Sequence, residues 1–259
     1  RSPQHGECFR RKRAVKRATI VLALLVATSA AAQDHRGSSS SERQPQSRSR
    51  NSYANPSAVI AAETAFARLA QEKGQWTAFA ETAARDAVMF EPRMVYAQEW
   101  LKDRPNPPVA VRWQPHRVWS SCDGSLIVSH GAWQRANGTG WFTTIWQRQK
   151  DGGYKWVLDH GDSLAQPLAE PEMISALIAD CPERRRRPDG KPPAKRPKVR
   201  NLPPLDPARR EGKSDDGTLS WDVTVDAAGA RSLSVTWKKD GASATALAQQ
   251  VAAPPAATN

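Results

Sequence analysis

Two histidines in the middle of the chain, His130 and His160, are the residues best suited to chemistry. Each lies where apolar and polar residues alternate, and the alternation predicts that both face one side of a sheet. A neutral imidazole can accept or donate a proton near neutral pH, and Asp162 on the same face is placed to orient that of His160. Asp159 alternates to the opposite face and is the poorer partner. The alternative is a pair of buried histidines that bond to Thr143 or to a backbone carbonyl.

Large apolar side chains around these histidines could form the walls of a binding pocket. The predicted lining consists of Trp113, Val128, Trp141, Thr143, Ile145, Tyr154, Trp156 and Leu158. Aromatic rings of this kind stack on aromatic or sugar-like ligands, but tryptophan also fills ordinary protein cores. We therefore expect a small apolar or aromatic ligand on this face, or a packed core in its place.

Several classes of function are disfavoured by motifs and charge. The sequence contains no nucleophile motif, no phosphate-binding loop and no His/Cys spacing of the zinc type, so we expect neither a metal nor a cofactor. The formal net charge is +12, but residues 1–32 carry seven Lys or Arg against one acid and residues 183–200 carry nine against two. Residues 33–182 carry sixteen of each sign, so we expect no nucleic-acid partner for the folded part.

The elements that must position these residues are marked by three two-residue turn signals. These are Asp123-Gly124, Asn137-Gly138 and Asp151-Gly152. Such pairs favour tight hairpin turns, and alternating sequence lies on both sides of each. The pattern predicts a four-stranded antiparallel meander with strands over residues 112–121, 125–135, 140–149 and 154–162. Pro115 predicts a bulge or an unpaired position in the first strand.

Helices are predicted before this meander. Asn55-Pro56 is typical of a helix start, apolar residues follow at three- and four-residue spacing, and Gly74 ends the helix. A second helix over about 76–85 and a short hairpin around Pro92-Arg93 follow. The fold class is therefore α+β, with a curved meander that cups the N-terminal helices.

Both faces of the predicted meander are apolar. Val128 and Ile145 share the face of the histidines, whereas Ile127, Phe142 and Trp146 lie on the other face. Both faces must be covered, one by the helices and the other by a partner or by the C-terminal segment. We expect the helices to cover the histidine face, which would make it the interior of the pocket.

The N-terminal region has the pattern of a secretory leader. Lys16-Arg17 precede a short apolar run and a series of small residues, which predicts cleavage near Ala32 and a periplasmic or secreted protein. We interpret 1–32 as upstream residues and signal peptide, and 33–54 as a disordered spacer. No apolar run approaches the roughly 20 residues of a membrane span, so no transmembrane segment is expected.

The C-terminal half is predicted to consist of separate segments that follow the main domain. In an oxidising compartment, Cys122 and Cys181 are expected to form a disulfide. The expected segments are a helical tail with Cys181 over 169–182, a basic Pro-rich linker over 183–213, a β-hairpin extension over 214–253 and a tail over 254–259. Within the linker, residues 184–200 could contact an anionic envelope surface.

Four short stretches carry a resemblance to a known superfamily. They are residues 61–67, 86–90, 140–149 and 151–163. With the element order, they resemble the nuclear-transport-factor-2-like, cystatin-like cone superfamily, and within it the SnoaL-like and DUF4440-like proteins, over residues 55–168. The resemblance implies a pocket between helix and sheet and a homodimer. It also implies uses that range from isomerase, cyclase or dehydratase chemistry to binding without turnover.

The sequence leaves three functions open. The first is an exported protein that binds a small molecule, or has an accessory role, without catalysis. The second is an acid-base enzyme of the SnoaL or ketosteroid isomerase type that uses His130, His160 and Asp162. The third is an envelope-associated interaction protein. Whether the chain is an enzyme is not decided by its sequence.

Overall fold

Two helices lead into the sheet structure. The computed structural model describes residues 54–182 and 202–254; the predicted leader, most of the spacer, most of the linker and the last five residues lie outside this part. Helix α1 spans Pro56–Lys73 and α2 spans Gln75–Thr82. They are separated by Gly74, whose φ of 100° suits glycine. No described helix has the length and apolar character that a membrane span requires.

The main sheet has seven strands and is mixed. In chain order its elements are β1 Ala83–Phe90, β2 Met94–Tyr96, α3 Ala97–Leu101, β3 Arg112–Ser120, β4 Leu126–Arg135, β5 Gly138–Arg148, β6 Tyr154–Leu164 and β7 Ser175–Ile178. The strand order is β2-β1-β6-β5-β4-β3-β7, with β1 parallel to β6 and β7 parallel to β3. The fold class is α+β as predicted, but the sheet extends beyond a simple meander.

Two irregularities within the meander change the register of the main sheet. The pairing of β3 with β4 shifts between Pro115 and Arg117, at the position where proline predicted a bulge. The pairing of β5 with β6 shifts between Ile145 and Trp146, so that Trp146 pairs with Trp156. A bulge adds one residue to one strand, which moves the following side chains to the other face of the sheet.

A buried glutamate connects α1 to the sheet. Glu63 is fully buried and accepts hydrogen bonds from Trp113 Nε1 at 2.8 Å, Ser129 Oγ at 2.6 Å and Trp146 Nε1 at 2.9 Å. These donors lie on the face opposite to His130. The expectation that the helices cover the histidine face is therefore wrong. The alternation itself could not reveal this, because both faces of the sheet are equally apolar.

A second sheet covers the histidine face. Its strands are β8 Arg209–Lys213, β9 Leu219–Val225, β10 Arg231–Lys239 and β11 Ala242–Val251. They pair antiparallel in the order β11-β10-β9-β8. The extension is thus a four-stranded sheet, and residues 209–213, expected in the linker, form its edge strand. Leu219, Val223, Leu233 and Val235 are completely buried, so this sheet belongs to the core.

The segment after the meander also differs from the expectation. Residues 169–182 contain the edge strand β7 instead of a helical tail, because Ser175–Ile178 hydrogen-bond to β3. The predicted disulfide is present: Cys122 and Cys181 are bonded, with 5.1 Å between their Cα atoms. It joins the β3–β4 turn to the residues that follow β7.

Two turns of nearly identical sequence face each other across the two sheets. Residues 121–126 read Ser-Cys-Asp-Gly-Ser-Leu and residues 214–219 read Ser-Asp-Asp-Gly-Thr-Leu. In both, the first serine hydroxyl donates to the aspartate, at 2.8 Å in the first turn and 2.6 Å in the second. The same aspartate oxygen accepts the backbone N–H two residues later. Each turn is therefore closed by its own aspartate, as is common for tight turns.

The paired turns, as we call residues 121–126 and 214–219, also bond to each other. The N–H of Cys122 donates to Thr218 Oγ1 at 2.9 Å, and the N–H of Asp215 donates to Ser125 Oγ at 2.8 Å. These two bonds are equivalent, because Cys122 and Asp215 occupy the same position in their turns. The N–H of Asp123 adds a third bond, to Asp216 Oδ2 at 2.8 Å. The second sheet is thereby fixed in position on the main sheet.

The paired turns make a prediction for stability. Thr218→Val keeps the shape of the side chain but leaves the Cys122 N–H without its acceptor. We expect a loss of about 1–3 kcal/mol in the free energy of unfolding, the typical cost of an unsatisfied buried group. Chemical denaturation of the oxidised protein measures it. Thr224→Val, on the exposed side of β9, is the matched control. Equal stability of the two variants would contradict the importance of this contact.

Candidate functional site

A cavity of about 340 Å³ lies between the helices and the main sheet. Its apolar wall consists of Phe66, Trp76, Phe79, Met89, Phe90, Val111, Trp113, Trp133 and Phe142. Its polar lining consists of Gln75, Glu91, Arg135, Thr144, Asp159, His160, Asp162, Ser163 and Arg231, with Gly161 between them. About half of the lining is apolar, mostly aromatic, and the other half is polar; an apolar wall with polar groups that orient the ligand is typical of a small-molecule site.

The aromatic wall is held by contacts between its own rings. Phe66 packs edge-to-face against Phe79 and Trp113, with ring centroids 4.8 and 4.7 Å apart. Phe79 in turn packs against Trp76 at 5.6 Å. Each such pair stabilises the arrangement beyond simple burial. The wall therefore keeps its shape without a ligand.

Glu63 supports this wall from behind. Its bond from Trp113 Nε1 fixes the orientation of an indole ring that faces the cavity. Burial raises the pKa of the Glu63 carboxyl, while the hydrogen bonds from Ser129, Trp113 and Trp146 act in the opposite direction. Glu63 itself does not line the cavity, so its contribution is to position the tryptophan.

Asp159 is the titratable group on the floor of the cavity. Thr144 Oγ1 donates to its Oδ2 at 3.0 Å. Burial, and then the nearby Glu63 charge, raise the pKa of the Asp159 carboxyl to about 7, although the bond from Thr144 lowers it. The side chain is partly accessible only because it opens into the cavity. At neutral pH Asp159 can therefore both give and accept a proton.

The sequence predicts Asp159 only as the poorer partner of His160. Asp159 does alternate away from His160, but its own face proves to be the one that the helices cover. The neighbouring Thr144 on β5 pairs with it directly. A polar pair within two apolar strands was the signal that could have identified this floor.

Arg231 enters the cavity wall from the second sheet. Its Nη2 donates to the Gly161 carbonyl at 3.1 Å, and its guanidinium lies 4.5 Å from the centre of the Phe90 ring. Burial lowers the pKa of Arg231, against the charges of Asp162 and Glu91. Burial raises the pKa of Glu91, whereas the charges of Arg104 and Arg231 lower it. The sequence analysis did not identify Arg231, because it lies 70 residues after Gly161 in the chain.

The two predicted catalytic histidines share one face, against Trp141. The ring centroids of His130 and His160 lie 6.0 and 5.2 Å from that of Trp141. His130 Nδ1 lies 2.8 Å from the Phe142 carbonyl and 3.1 Å from Thr143 Oγ1. These are the contacts expected of a satisfied, partly buried histidine, and burial lowers its pKa. His130 is not among the residues that line the cavity.

His160 lies beside the cavity and is almost completely buried. Only 1% of it is exposed. The side chain of Gln249 is its hydrogen-bonding neighbour, although neither ring nitrogen forms a hydrogen bond of ordinary geometry among the described residues. Burial, and then the charge of Arg231, lower the pKa of His160 to about 4, while Gln249 acts in the opposite direction, so the ring is neutral. Asp162 also lines the cavity, but its Oδ1 accepts the N–H of Ser163 and does not orient His160.

The predicted pocket residues are divided among four places. Trp113 lines the cavity. The bulge turns Trp156 toward the helices, where its Nε1 donates to Thr82 Oγ1 at 3.0 Å. The hydroxyl of Tyr154 donates to the Gly124 carbonyl, at the far end of the sheet. The others lie on the face that the second sheet covers: Val128, Trp141, Thr143, Ile145 and Leu158.

Several polar side chains converge on the cavity. Among residues 54–182 and 202–254, no three His, Cys, Asp or Glu side chains form a group that could hold a metal ion. The polar groups that converge on the cavity are Asp159 with Thr144 on the floor, and His160 with Arg231 at one side. Together they can bind hydrogen-bonding ligand groups and exchange protons.

The comparisons with known proteins concern the fold. Neither a protein-family model nor a curated protein matches the chain. One similar solved structure is a DUF3225-family protein of unknown function from Pectobacterium atrosepticum, at 14% identity and a TM-score of 0.34, over 43% of this chain and 94% of that one. Another, from Parabacteroides distasonis, is provisionally assigned as a ketosteroid isomerase, with the same identity and TM-score over 44% and 97%. We interpret the cavity from its own residues.

Asp159 makes a prediction for the pH dependence of stability. Its pKa is higher in the folded chain than in the unfolded chain, so the folded state binds the extra proton between about pH 4 and pH 7. Relative to Asp159→Asn, the wild type should lose stability as the pH rises through this window, by at most about 4 kcal/mol. Denaturation at several pH values measures the difference. Asp226→Asn on an exposed turn is the control, and a difference that does not change with pH would contradict the raised pKa.

Proposed function

We propose that this protein binds a small, partly apolar molecule in the cavity between its helices and main sheet. The observation that carries the proposal is the combination of a preformed aromatic wall with a protonatable floor. The ligand's apolar body would contact Phe66, Phe79 and Trp113. A polar group on the ligand would bond to Asp159 or Thr144.

The dimensions of the cavity support a small ligand. A volume of about 340 Å³ lies at the lower end of the range for small-molecule sites. One or two fused rings fit such a space, whereas a peptide or polysaccharide would need a longer groove. Because the rings of the wall hold each other, little conformational entropy is lost on binding.

A naphthalene with one hydroxyl group tests this proposal. We expect 2-naphthol to bind and to quench tryptophan fluorescence, since several tryptophans line the cavity. Val111→Trp places an indole in the lining and should weaken binding at least tenfold. Val109→Trp, two residues earlier and 76% exposed, is the matched control and should bind as the wild type does.

The control decides what a positive result means. If both tryptophan variants bind 2-naphthol as the wild type does, the probe is bound elsewhere and the proposed site is wrong. Circular dichroism of both variants separates a blocked cavity from a misfolded protein. Absence of any saturable binding to the wild type would also contradict the proposal.

Proton transfer is the second candidate function, favoured by the raised pKa of Asp159. A carboxylate with a pKa of about 7 in an apolar site is a stronger base than one in water, and it is partly ionised at neutral pH. The enzymatic alternative then rests on Asp159 in place of the predicted histidines. The wall would hold the substrate against this base.

The ring opening of 5-nitrobenzisoxazole tests this second function, because a single carbon-bound proton is removed and the nitrophenolate product is coloured. We expect a rate about 10²-fold or more above that of Asp159→Asn, a typical contribution of a positioned base. The rate should rise with pH around 7. Equal rates for the wild type and for Asp159→Asn would exclude Asp159 as a base.

The remaining expectations concern location and assembly. The disulfide and the leader pattern support export to the periplasm or beyond. Packing of the helices across a mixed sheet, with a cavity between them, supports the nuclear-transport-factor-2-like cone and its SnoaL-like form. The homodimer and the contact of residues 184–200 with an anionic envelope also stay predictions. A second copy is not needed to cover the histidine face, because the second sheet lies there.

A further inference from the structure

Arg231 is a cation that the second sheet brings into a cavity of the first. Its Nη2 bonds to the Gly161 carbonyl, but its Nε is buried without a hydrogen-bond partner in the described part of the chain. No described carboxylate forms an ion pair with it at 4 Å or less. A half-buried guanidinium without an ion pair can pair with an anionic group of a ligand.

His160 is packed beside the same cavity. Only 1% of it is exposed, and the side chain of Gln249 on β11 is its hydrogen-bonding neighbour, although neither ring nitrogen forms a hydrogen bond of ordinary geometry within the described residues. The Phe90 ring contacts both groups. Its centroid lies 5.5 Å from that of the His160 ring and 4.5 Å from the Arg231 guanidinium. Of these two groups, Arg231, which lines the cavity and forms no ion pair with a described carboxylate, is the one that a ligand in the cavity can contact.

We propose that this side of the cavity binds the carboxylate of a small aromatic acid, with Arg231 as the principal contact. The inference rests on the proposed function and names its ligand class. The fork of a guanidinium matches the two oxygens of a carboxylate. The aromatic ring of the acid would lie against Trp113 and Phe79.

The charges around the cavity favour an anion with one charge. Glu91 and Asp162 both act on Arg231 electrostatically, which limits how much additional negative charge the site can accept. A doubly charged phosphate would meet these carboxylates as well as Asp159. A monoanionic carboxylate meets less repulsion, and a protonated Asp159 can donate a hydrogen bond to it.

The test compares three ligands that differ only at one position of naphthalene. We expect naphthalene-2-carboxylate to bind the oxidised full-length protein at least tenfold more tightly than 2-naphthol or methyl naphthalene-2-carboxylate at pH 7. Fluorescence titration and calorimetry measure the dissociation constants. The methyl ester is neutral and one methyl group larger than the acid, whereas 2-naphthol is neutral and smaller, so a preference for the acid over both reports its charge and not its size, and this comparison needs no variant.

Variants of Arg231 then locate the carboxylate. Arg231→Met should remove the preference for the acid while 2-naphthol still binds, and Arg231→Lys should restore part of it. Arg210→Met is the matched control, because Arg210 pairs with Asp86 and does not line the cavity.

Each outcome has a definite meaning. Equal affinity for the acid and its ester in the wild type would overturn the carboxylate site but leave the proposed function standing. A preference that survives in Arg231→Met would overturn the role of Arg231. Failure of all three ligands to bind would overturn both proposals. If Arg231→Met does not fold, the ester comparison in the wild type still decides whether a carboxylate is recognised.

Discussion

The hydrogen bonds between the paired turns are the interaction on which the rest of the structure depends. They join residues 121–126 of the main sheet to residues 214–219 of the second sheet through three backbone N–H groups. Because the turns hold one end of each sheet, the histidine face is covered by the chain's own second sheet. The same docking brings β10 across β6, which is why Arg231 reaches the Gly161 carbonyl. The hydrogen bonds at one end of the molecule therefore determine that Arg231 reaches the cavity.

A second constraint acts on the other face of the main sheet. Glu63 brings three donors from β3, β4 and β5 to one side chain of α1, in a space from which water is excluded. A buried acid with good hydrogen bonds is costly to form but specific in its geometry. It fixes the distance between helix and sheet and holds the indole of Trp113 toward the cavity. The raised pKa of Asp159 follows in part from this neighbour.

Alternation and turn residues predicted much of the local structure. The shared face of His130 and His160 and the bulge at Pro115 were accessible in this way, and the disulfide was predicted from two cysteines behind a leader pattern. The side that the helices cover was not, because Val128 and Ile145 on one face are as apolar as Ile127 and Trp146 on the other. The bulge after Ile145 displaced Trp156, and nothing in that sequence signals it. Strand β8 was hidden because Arg209–Lys213 is polar and becomes a strand only by pairing with β9. The sequence did not identify Asp159 and Arg231 as cavity residues for a related reason. Asp159 lines the cavity because the helices cover its face of the main sheet, and Arg231 because the second sheet packs beside β6.

The view that emerges is of a cavity with three contributors: helices that supply aromatic rings, a main sheet that supplies a titratable floor, and a second sheet that supplies a cation. The most direct measurement is a crystal structure of the complex with 6-bromonaphthalene-2-carboxylate, in which anomalous scattering locates the bromine independently of any interpretation. We expect one bromine position among Trp76, Phe79 and Trp113, with the carboxylate within hydrogen-bonding distance of Arg231. Bromine outside the cavity, or a carboxylate directed away from Arg231 into solvent, would contradict this view.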